Sequence, residues 1–259
     1  MPGARPAPYR GAMITWLTAF LDSPADAWDA SRDFWTGVTG YGLSAARGER
    51  GDFQTLVPPD GDGYLRVQRL HDGGPRVHLD LHVPGVRAAA DAGAALGAVE
   101  VAASEHVVMA SPGGFPFCFV ADEGESRLSG ATAWTRADGV VHRSRVDAVV
   151  IDVPAEHWPA EVAFWAGLTG WAAGAASERD DGGPVPLDVP ATLPLRVLLH
   201  PRGNWTGPVR GHLDLACTDR AAETARHVGL GATLVGEGAD WTVLLAPDGR
   251  RFCLTDERP

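Results

Sequence analysis

The chain has 259 residues, a formal net charge of −11 and 45% hydrophobic residues, which suits two ordinary globular domains that each bury a core. That acidic balance argues against a nucleic-acid partner, whose phosphates need clustered Lys and Arg. No apolar run approaches the roughly 20 residues of a spanning helix, so no membrane partner is expected. The three cysteines, Cys118, Cys217 and Cys253, are too scattered for a disulfide framework or a zinc site. A cytoplasmic protein is expected.

In chain order, residues 1–12 carry Pro, Arg and Ala without an apolar core and read as a disordered lead-in. Ile14 to Leu21 has a strand pattern and ends at Asp22-Ser23-Pro24, a sequence that suits a helix N-cap. Trp28, Phe34, Trp35 and Val38 then mark one face of a helix, which Gly40 stops. Strands are expected at Phe53 to Val57 and Tyr64 to Leu70, on either side of the turn Pro58-Pro59-Asp60-Gly61. The cycle repeats with a strand from Val77 to Val83 and an Ala-rich helix from Val86 to Leu96, closed by Gly97. Three further strands are expected at Val99 to Val101, His106 to Ala110 and Phe115 to Val120. Ser126 to Arg145 reads as a connection, with Val140-Val141 as a short edge strand. The domains are therefore placed at 13–125 and 145–259, with 126–144 as linker.

Everything after the connection repeats what precedes it. Leu21-Asp22-Ser23-Pro24-Ala25 recurs as Ile151-Asp152-Val153-Pro154-Ala155, and Phe34-Trp35-Thr36-Gly37 as Phe164-Trp165-Ala166-Gly167, at a constant offset of 130 (151 − 21, 164 − 34). His78-Leu79-Asp80-Leu81 recurs as His212-Leu213-Asp214-Leu215 at 134 (212 − 78), and Phe117-Cys118 as Phe252-Cys253 at 135 (252 − 117). The drift corresponds to small insertions in surface loops. Each copy is thus two βαβββ units in succession.

This ordered set resembles the vicinal-oxygen-chelate (VOC) superfamily of glyoxalase-like and bleomycin-resistance-like proteins. The resemblance rests on Phe34-Trp35 with Thr39-Gly40 and Phe164-Trp165 with Thr169-Gly170. It rests also on Arg76 to Leu81 and Arg210 to Leu215, and on Pro247-Asp248-Gly249 before Phe252. It implies an α+β fold of two tandem VOC domains. Each would be a pair of βαβββ modules forming a half-open curved sheet around a cavity, which is a ligand site by default.

Metal-dependent relatives place donors on the first and last strands of each module. The resemblance puts Thr18, Gln68, His78 and Cys118 there in the first copy, and Ala148, Leu198, His212 and Cys253 in the second. His78 and His212, each with one Cys, are the weak metal candidates and too few for a site. No cofactor is expected, with a divalent metal the minority alternative.

Strand alternation puts His78, Asp80 and His82 on one face, and His212 with Asp214. A His beside an Asp suits an acid/base pair, so His78 and Asp80 are the catalytic candidates. The same pair also suits an internal brace, and its recurrence in both copies favours the brace. Arg66 and Arg196, equivalent at offset 130 (196 − 66), could bind a carboxylate or phosphate, or form salt bridges to Asp80 and Asp214. Trp16, Trp171 and Trp241 could line a pocket for a planar ligand. Thr18, Gln68, His82, Cys118, His212 and Asp214 complete the ligand-binding candidates.

The expected function is metal-independent binding or sequestration of a small hydrophobic or planar molecule. The alternatives are a metal-independent lyase or isomerase using the His–Asp pair, and a metal-dependent glyoxalase or dioxygenase. The partner is a small molecule, and the assembly is a monomer with pseudo-twofold domains or a homodimer. The first copy keeps more polar cavity residues and is the expected seat of any activity.

Overall fold

The computed structural model describes residues 13–176, 183–203 and 205–259, so the expected lead-in over residues 1–12 lies outside the described residues. The first copy runs β1 (Trp16–Pro24), α1 (Trp28–Thr39), β2 (Gly42–Leu43), β3 (Phe53–Val57), β4 (Leu65–Leu70), β5 (Arg76–Val83), α2 (Val86–Ala95), β6 (Val99–Ala103), β7 (Val107–Ala110) and β8 (Pro116–Ala121). The strand pair β9 (Thr132–Thr135) and β10 (Val141–Pro154) leads into the second copy. That copy continues with α3 (Trp158–Thr169), β11 (Val185–Pro186), β12 (Arg196–Arg202), β13 (Arg210–Cys217), α4 (Arg220–Gly229), β14 (Thr233–Glu237), β15 (Trp241–Leu245) and β16 (Arg251–Thr255). The α+β expectation holds: two mixed sheets of tandem VOC modules bend without closing into a barrel.

The first sheet has the order β2-β3-β4-β1-β5-β8-β7-β6, and the second β11-β12-β10-β13-β16-β15-β14 with β9 added beside β10. In each, the first strands of the two modules pair antiparallel at the centre, β1 with β5 and β10 with β13. Each central strand has its module's last strand parallel on its other side, β4 beside β1 and β8 beside β5. Alternation then decides the two faces. Val77, Leu79, Leu81 and Val83 are buried in the core, while His78, Asp80 and His82 point the other way.

The helices lie between the sheets, and each copy's first helix packs on the other copy's last strand. Phe34 and Trp35 of α1 meet Phe252 at ring-centroid distances of 5.8 and 5.3 Å. Phe164 and Trp165 of α3 meet Phe117 at 5.8 and 5.3 Å. The Phe-Trp pairs legible in the repeat are therefore the cement between copies within one chain. Where β5 and β13 approach each other, a Cβ at Gly211 would stand 2.6 Å from the Phe115 ring, which would have to shift to admit any other residue. Among the polar contacts between the copies, beside Arg226 donating to the Gly37 and Val38 carbonyls, are two joints built on a carboxylate. Glu161 on α3 accepts from Ser111 Oγ and the Gly113 amide, and Asp248, in the turn before β16, accepts from Ser23 and Ser31.

The structure differs from expectation at two places. Asp22-Ser23-Pro24 does not cap α1: β1 continues through Pro24, and Ala27 occupies the N-cap without a side-chain bond. The side chains of Asp22 and Ser23 are engaged elsewhere, Asp22 by His78 and Arg76, and Ser23 by the second copy. The segment read as a connection carries β9 and the start of β10, whose Ser144 accepts a hydrogen bond from Trp134 Nε1 at 2.9 Å.

Candidate functional site

The concave face of the first sheet holds a cavity of about 500 Å³ lined by residues of β1, β4, β5 and β8. Register explains its composition. Phe20 lies opposite His78 and Thr18 opposite Asp80 across β1 and β5, Arg66 sits beside Phe20 on β4, and Cys118 beside Asp80 on β8. His78 is held from both sides: Nδ1 meets Asp22 Oδ2 at 2.9 Å, and Nε2 faces Asp80 Oδ1 at 3.6 Å. Its ring stacks on Phe20 at 4.4 Å, and Arg76 Nε donates to the same Asp22 oxygen at 3.0 Å.

The electrostatics follow from this sandwich. Burial alone would lower the His78 pKa, but the Asp22 and Asp80 carboxylates outweigh it and hold the imidazolium above its ordinary range. Burial raises Asp80 against the pull of His78 and Arg66, and pushes the Cys118 thiol far up. Burial, helped by Arg66, brings His82 down to about 4, leaving a neutral ring beside the Thr18 hydroxyl at 3.0 Å.

A second cavity of about 620 Å³ occupies the equivalent face of the second sheet. His212 Nδ1 meets Asp152 Oδ2 at 2.8 Å and its Nε2 faces Asp214 Oδ1 at 3.3 Å. Asp152 also takes Arg202 Nε at 3.0 Å. Burial opposes ionisation of both partners, yet the opposite charges and hydrogen bonds win. Asp152 is held below the usual carboxylate range and His212 well above the usual imidazole range.

Of the candidates from sequence, His78, Asp80, His82, Arg66, Gln68 and Cys118 converge on the first cavity, and His212, Asp214, Arg196 and Trp241 on the second together with Leu198 and Cys253. Thr18 is fully buried behind His82 and reaches the cavity only through it. Trp16 and Trp171 belong to the core, with Trp16 Nε1 donating to the Gly63 carbonyl. Ala148 is fully buried and packs with Val150 and Leu198. Arg196 pairs with Asp147 rather than Asp214.

Sequence reasoning missed Asp22 and Asp152, which are equivalent at offset 130 (152 − 22). Their recurrence inside the repeat was the available signal. It also missed Asp147, a lone charge in the run Val146-Asp147-Ala148-Val149-Val150.

Three donors, not two, meet in each cavity. One ligand atom each from His78, Asp80 and Cys118 lies within 4.8 Å of the others, and the same holds for His212, Asp214 and Cys253. Asp80 Oδ1 and Asp214 Oδ1 are buried without a hydrogen-bond partner. A His whose other nitrogen is held by a carboxylate is the usual arrangement around a bound cation. Three such donors with an open side fit a divalent metal of the zinc type. The expectation of too few ligands came from counting only the family's register positions, which omit Asp80 and Asp214.

Paired βαβββ modules that bend a mixed sheet around an open cavity define the class as that of VOC proteins. The family model for the glyoxalase-like domain matches residues 18–120 and again 148–255, and the chain belongs to this family as a tandem pair. Its fold is similar to that of a xylose isomerase-like TIM barrel/4-hydroxyphenylpyruvate dioxygenase fusion protein (TM-score 0.63, 14% identity), aligning over 100% of this chain but only 51% of that one. The chain thus spans about half the length of the fusion protein. A variant of 4-hydroxymandelate synthase from Streptomyces coelicolor matches with TM-score 0.61 and 12% identity over 96% of this chain and 94% of that one. For 2,2',3-trihydroxybiphenyl 1,2-dioxygenase from Sphingomonas wittichii strain RW1 the values are 0.61, 15%, 95% and 90%. At these identities the likeness is one of fold. No curated protein matches the sequence. No helix among the described residues is long and apolar enough to cross a membrane.

Proposed function

We propose that the chain binds a small planar molecule in the cavity of its first copy, with recognition rather than bond chemistry as its role. The observation that carries this reading is the double clamp on His78. Nδ1 is hydrogen-bonded to Asp22, Nε2 stands 3.6 Å from Asp80, and the two carboxylates favour the protonated ring, whereas a general base must start neutral. The Cys118 thiol, pushed up by burial beside Asp80, is no nucleophile at neutral pH. What remains is apolar surface from Phe20, Phe53 and Val108 with charged groups among it, the composition of a recognition pocket.

A second reading, a metal-dependent activity, is favoured by the convergence of three donors. His78, Asp80 and Cys118 would hold the cation in the first copy, and His212, Asp214 and Cys253 in the second. A divalent ion there would supply Lewis-acid polarisation of a bound oxygen. Asp22 would orient the His78 ring in either reading.

Thermal-shift titration with planar aromatic compounds, before and after chelator treatment, tests both readings. Saturable stabilisation without turnover, unchanged by removing metal, is the expected result. Stabilisation by none of the compounds, or turnover that needs a stoichiometric bound metal, would refute the binding reading.

A further inference from the structure

The two cavities differ at the equivalent arginines. Arg66 makes no close ion pair: Nη1 is 4.0 Å from Asp80, Nη2 is 3.6 Å from Glu123, and its buried Nε has no hydrogen-bond partner. The guanidinium lies over the Phe20 ring at 5.6 Å, so its position is fixed while its donors stay open. Arg196 has the same outer neighbour, with Nη1 3.8 Å from Glu257. Its inner side is closed, because Nε donates to Asp147 Oδ2 at 2.8 Å and Nη2 donates to the same oxygen.

Asp147 reaches that place through a backbone irregularity. Val146 pairs with Leu215 and Ala148 with Asp214, which leaves Asp147 as the extra residue of a bulge, and such bulges re-aim one side chain. Its Oδ1 accepts from the Ala216 amide at 3.1 Å, which fixes the carboxylate. In the first copy Leu17 pairs with Leu81 and Thr18 with Asp80 without interruption, and no acid is inserted there.

We propose that Arg66 makes the first cavity a site for planar carboxylates, and that Asp147, a carboxylate supplied by the chain itself, occupies the donors of the equivalent Arg196 in the second. The planar guanidinium takes a carboxylate through two parallel hydrogen bonds, and the neighbouring Phe20, with Phe53 edge-on to it at 6.3 Å, covers an aromatic body. The ligand class is thus an aromatic acid in the first cavity, with acids excluded from the second. This inference rests on the binding reading above.

The test uses the full chain with 2-naphthoate and its neutral analogue 2-naphthamide, by isothermal titration calorimetry. Wild type is expected to bind one naphthoate per chain at least tenfold more tightly than naphthamide, and Arg66→Met to abolish that preference. Asp147→Asn is expected to raise the naphthoate stoichiometry from one to two, and Arg196→Met added to it to return it to one. Deletion of Asp147, which restores the regular pairing seen in the first copy, should act as Asp147→Asn does and covers the case of a poorly folded substitution. Equal affinity for the two probes, a preference that survives Arg66→Met, or a stoichiometry unmoved by both changes at residue 147 would overturn the proposal while leaving binding intact. Binding of neither probe would overturn the binding reading itself, and this inference with it.

Discussion

Truncating Glu161 to alanine removes the acceptor of one interdomain joint, and its effect can be worked from three hydrogen bonds. The side chain is fully buried. Oε1 accepts from Ser111 Oγ at 2.7 Å and from the Gly113 amide at 2.6 Å, while Oε2 accepts from Trp165 Nε1 at 2.8 Å. Each buried donor left without a partner costs about 1–3 kcal/mol, so three at the low end give about 3 kcal/mol. For a chain of this size each kcal/mol moves the melting point by about 2–4 °C, so Glu161→Ala should melt about 6–12 °C lower. Glu161→Gln keeps an oxygen for Ser111 and Gly113 but sets an amide N–H against Trp165 Nε1, and should lose about 1–2 kcal/mol. Scanning calorimetry on the full chain reads both. If Glu161→Ala melts within about 2 °C of wild type, or Glu161→Gln does as much damage, the joint does not work as argued.

Asp22→Asn should lower the pH midpoint of His78 ring titration followed by NMR, because burial is then opposed by Asp80 alone; an unchanged midpoint would sink the assigned clamp. His212 is raised above its ordinary value of 6.5, so its stabilising contribution is full below that pH and fades as pH rises through the folded value. Asp152, lowered from 3.8, contributes above that pH and loses its contribution as pH falls through the folded value. The melting-point gap between wild type and His212→Gln should therefore be widest between about pH 4 and 6.5 and narrow in alkali, and a gap that widens in alkali would contradict this. Gly40→Ala should cost about 1–2 kcal/mol for the left-handed backbone alone, with φ at +69° and the new Cβ 2.8 Å from the Trp134 ring. Gly236→Ala, with open space around it, is the control for the same melting experiment.

The duplication and the two-face strands were legible because both are written in spacing. His78, Asp80 and His82 fall on one face whatever surrounds them, and Phe34-Trp35 recurs as Phe164-Trp165. Asp22 was misread for a physical reason. Asp-Ser-Pro before an apolar helix is a genuine local capping sequence, and only the antiparallel pairing of β1 with β5 brings His78 and Arg76 within reach of its carboxylate. Tertiary partners outcompeted a local one. Arg196 was misassigned to Asp214 because a bulge changes which residue faces inward, and one extra residue in an apolar strand leaves no periodic trace. Trp16 looked like a pocket residue from its amphipathic type, but its indole N–H is satisfied inside the core by the Gly63 carbonyl.

The two interdomain joints also explain why the copies pair with each other rather than with themselves. Ser31 and Glu161 are equivalent (161 − 31 = 130), as are Gly113 and Asp248 (248 − 113 = 135). The carboxylate therefore sits on the helix in one joint and on the turn in the other. Pairing two first copies would put Ser31 against Gly113 with no carboxylate for either. Pairing two second copies would bring Glu161 against Asp248, two buried acids with one Arg250 beside them, and like charges so placed are strongly disfavoured. Only the mixed pair satisfies both. Ser31→Glu imposes the disfavoured combination within the wild-type chain and should lower the melting point at least as far as Glu161→Ala. Adding Asp248→Gly to Ser31→Glu copies the chemistry of the other joint and should recover a substantial part of the loss. A double variant no more stable than Ser31→Glu alone would show that steric fit, rather than the placement of one carboxylate per joint, selects the pairing.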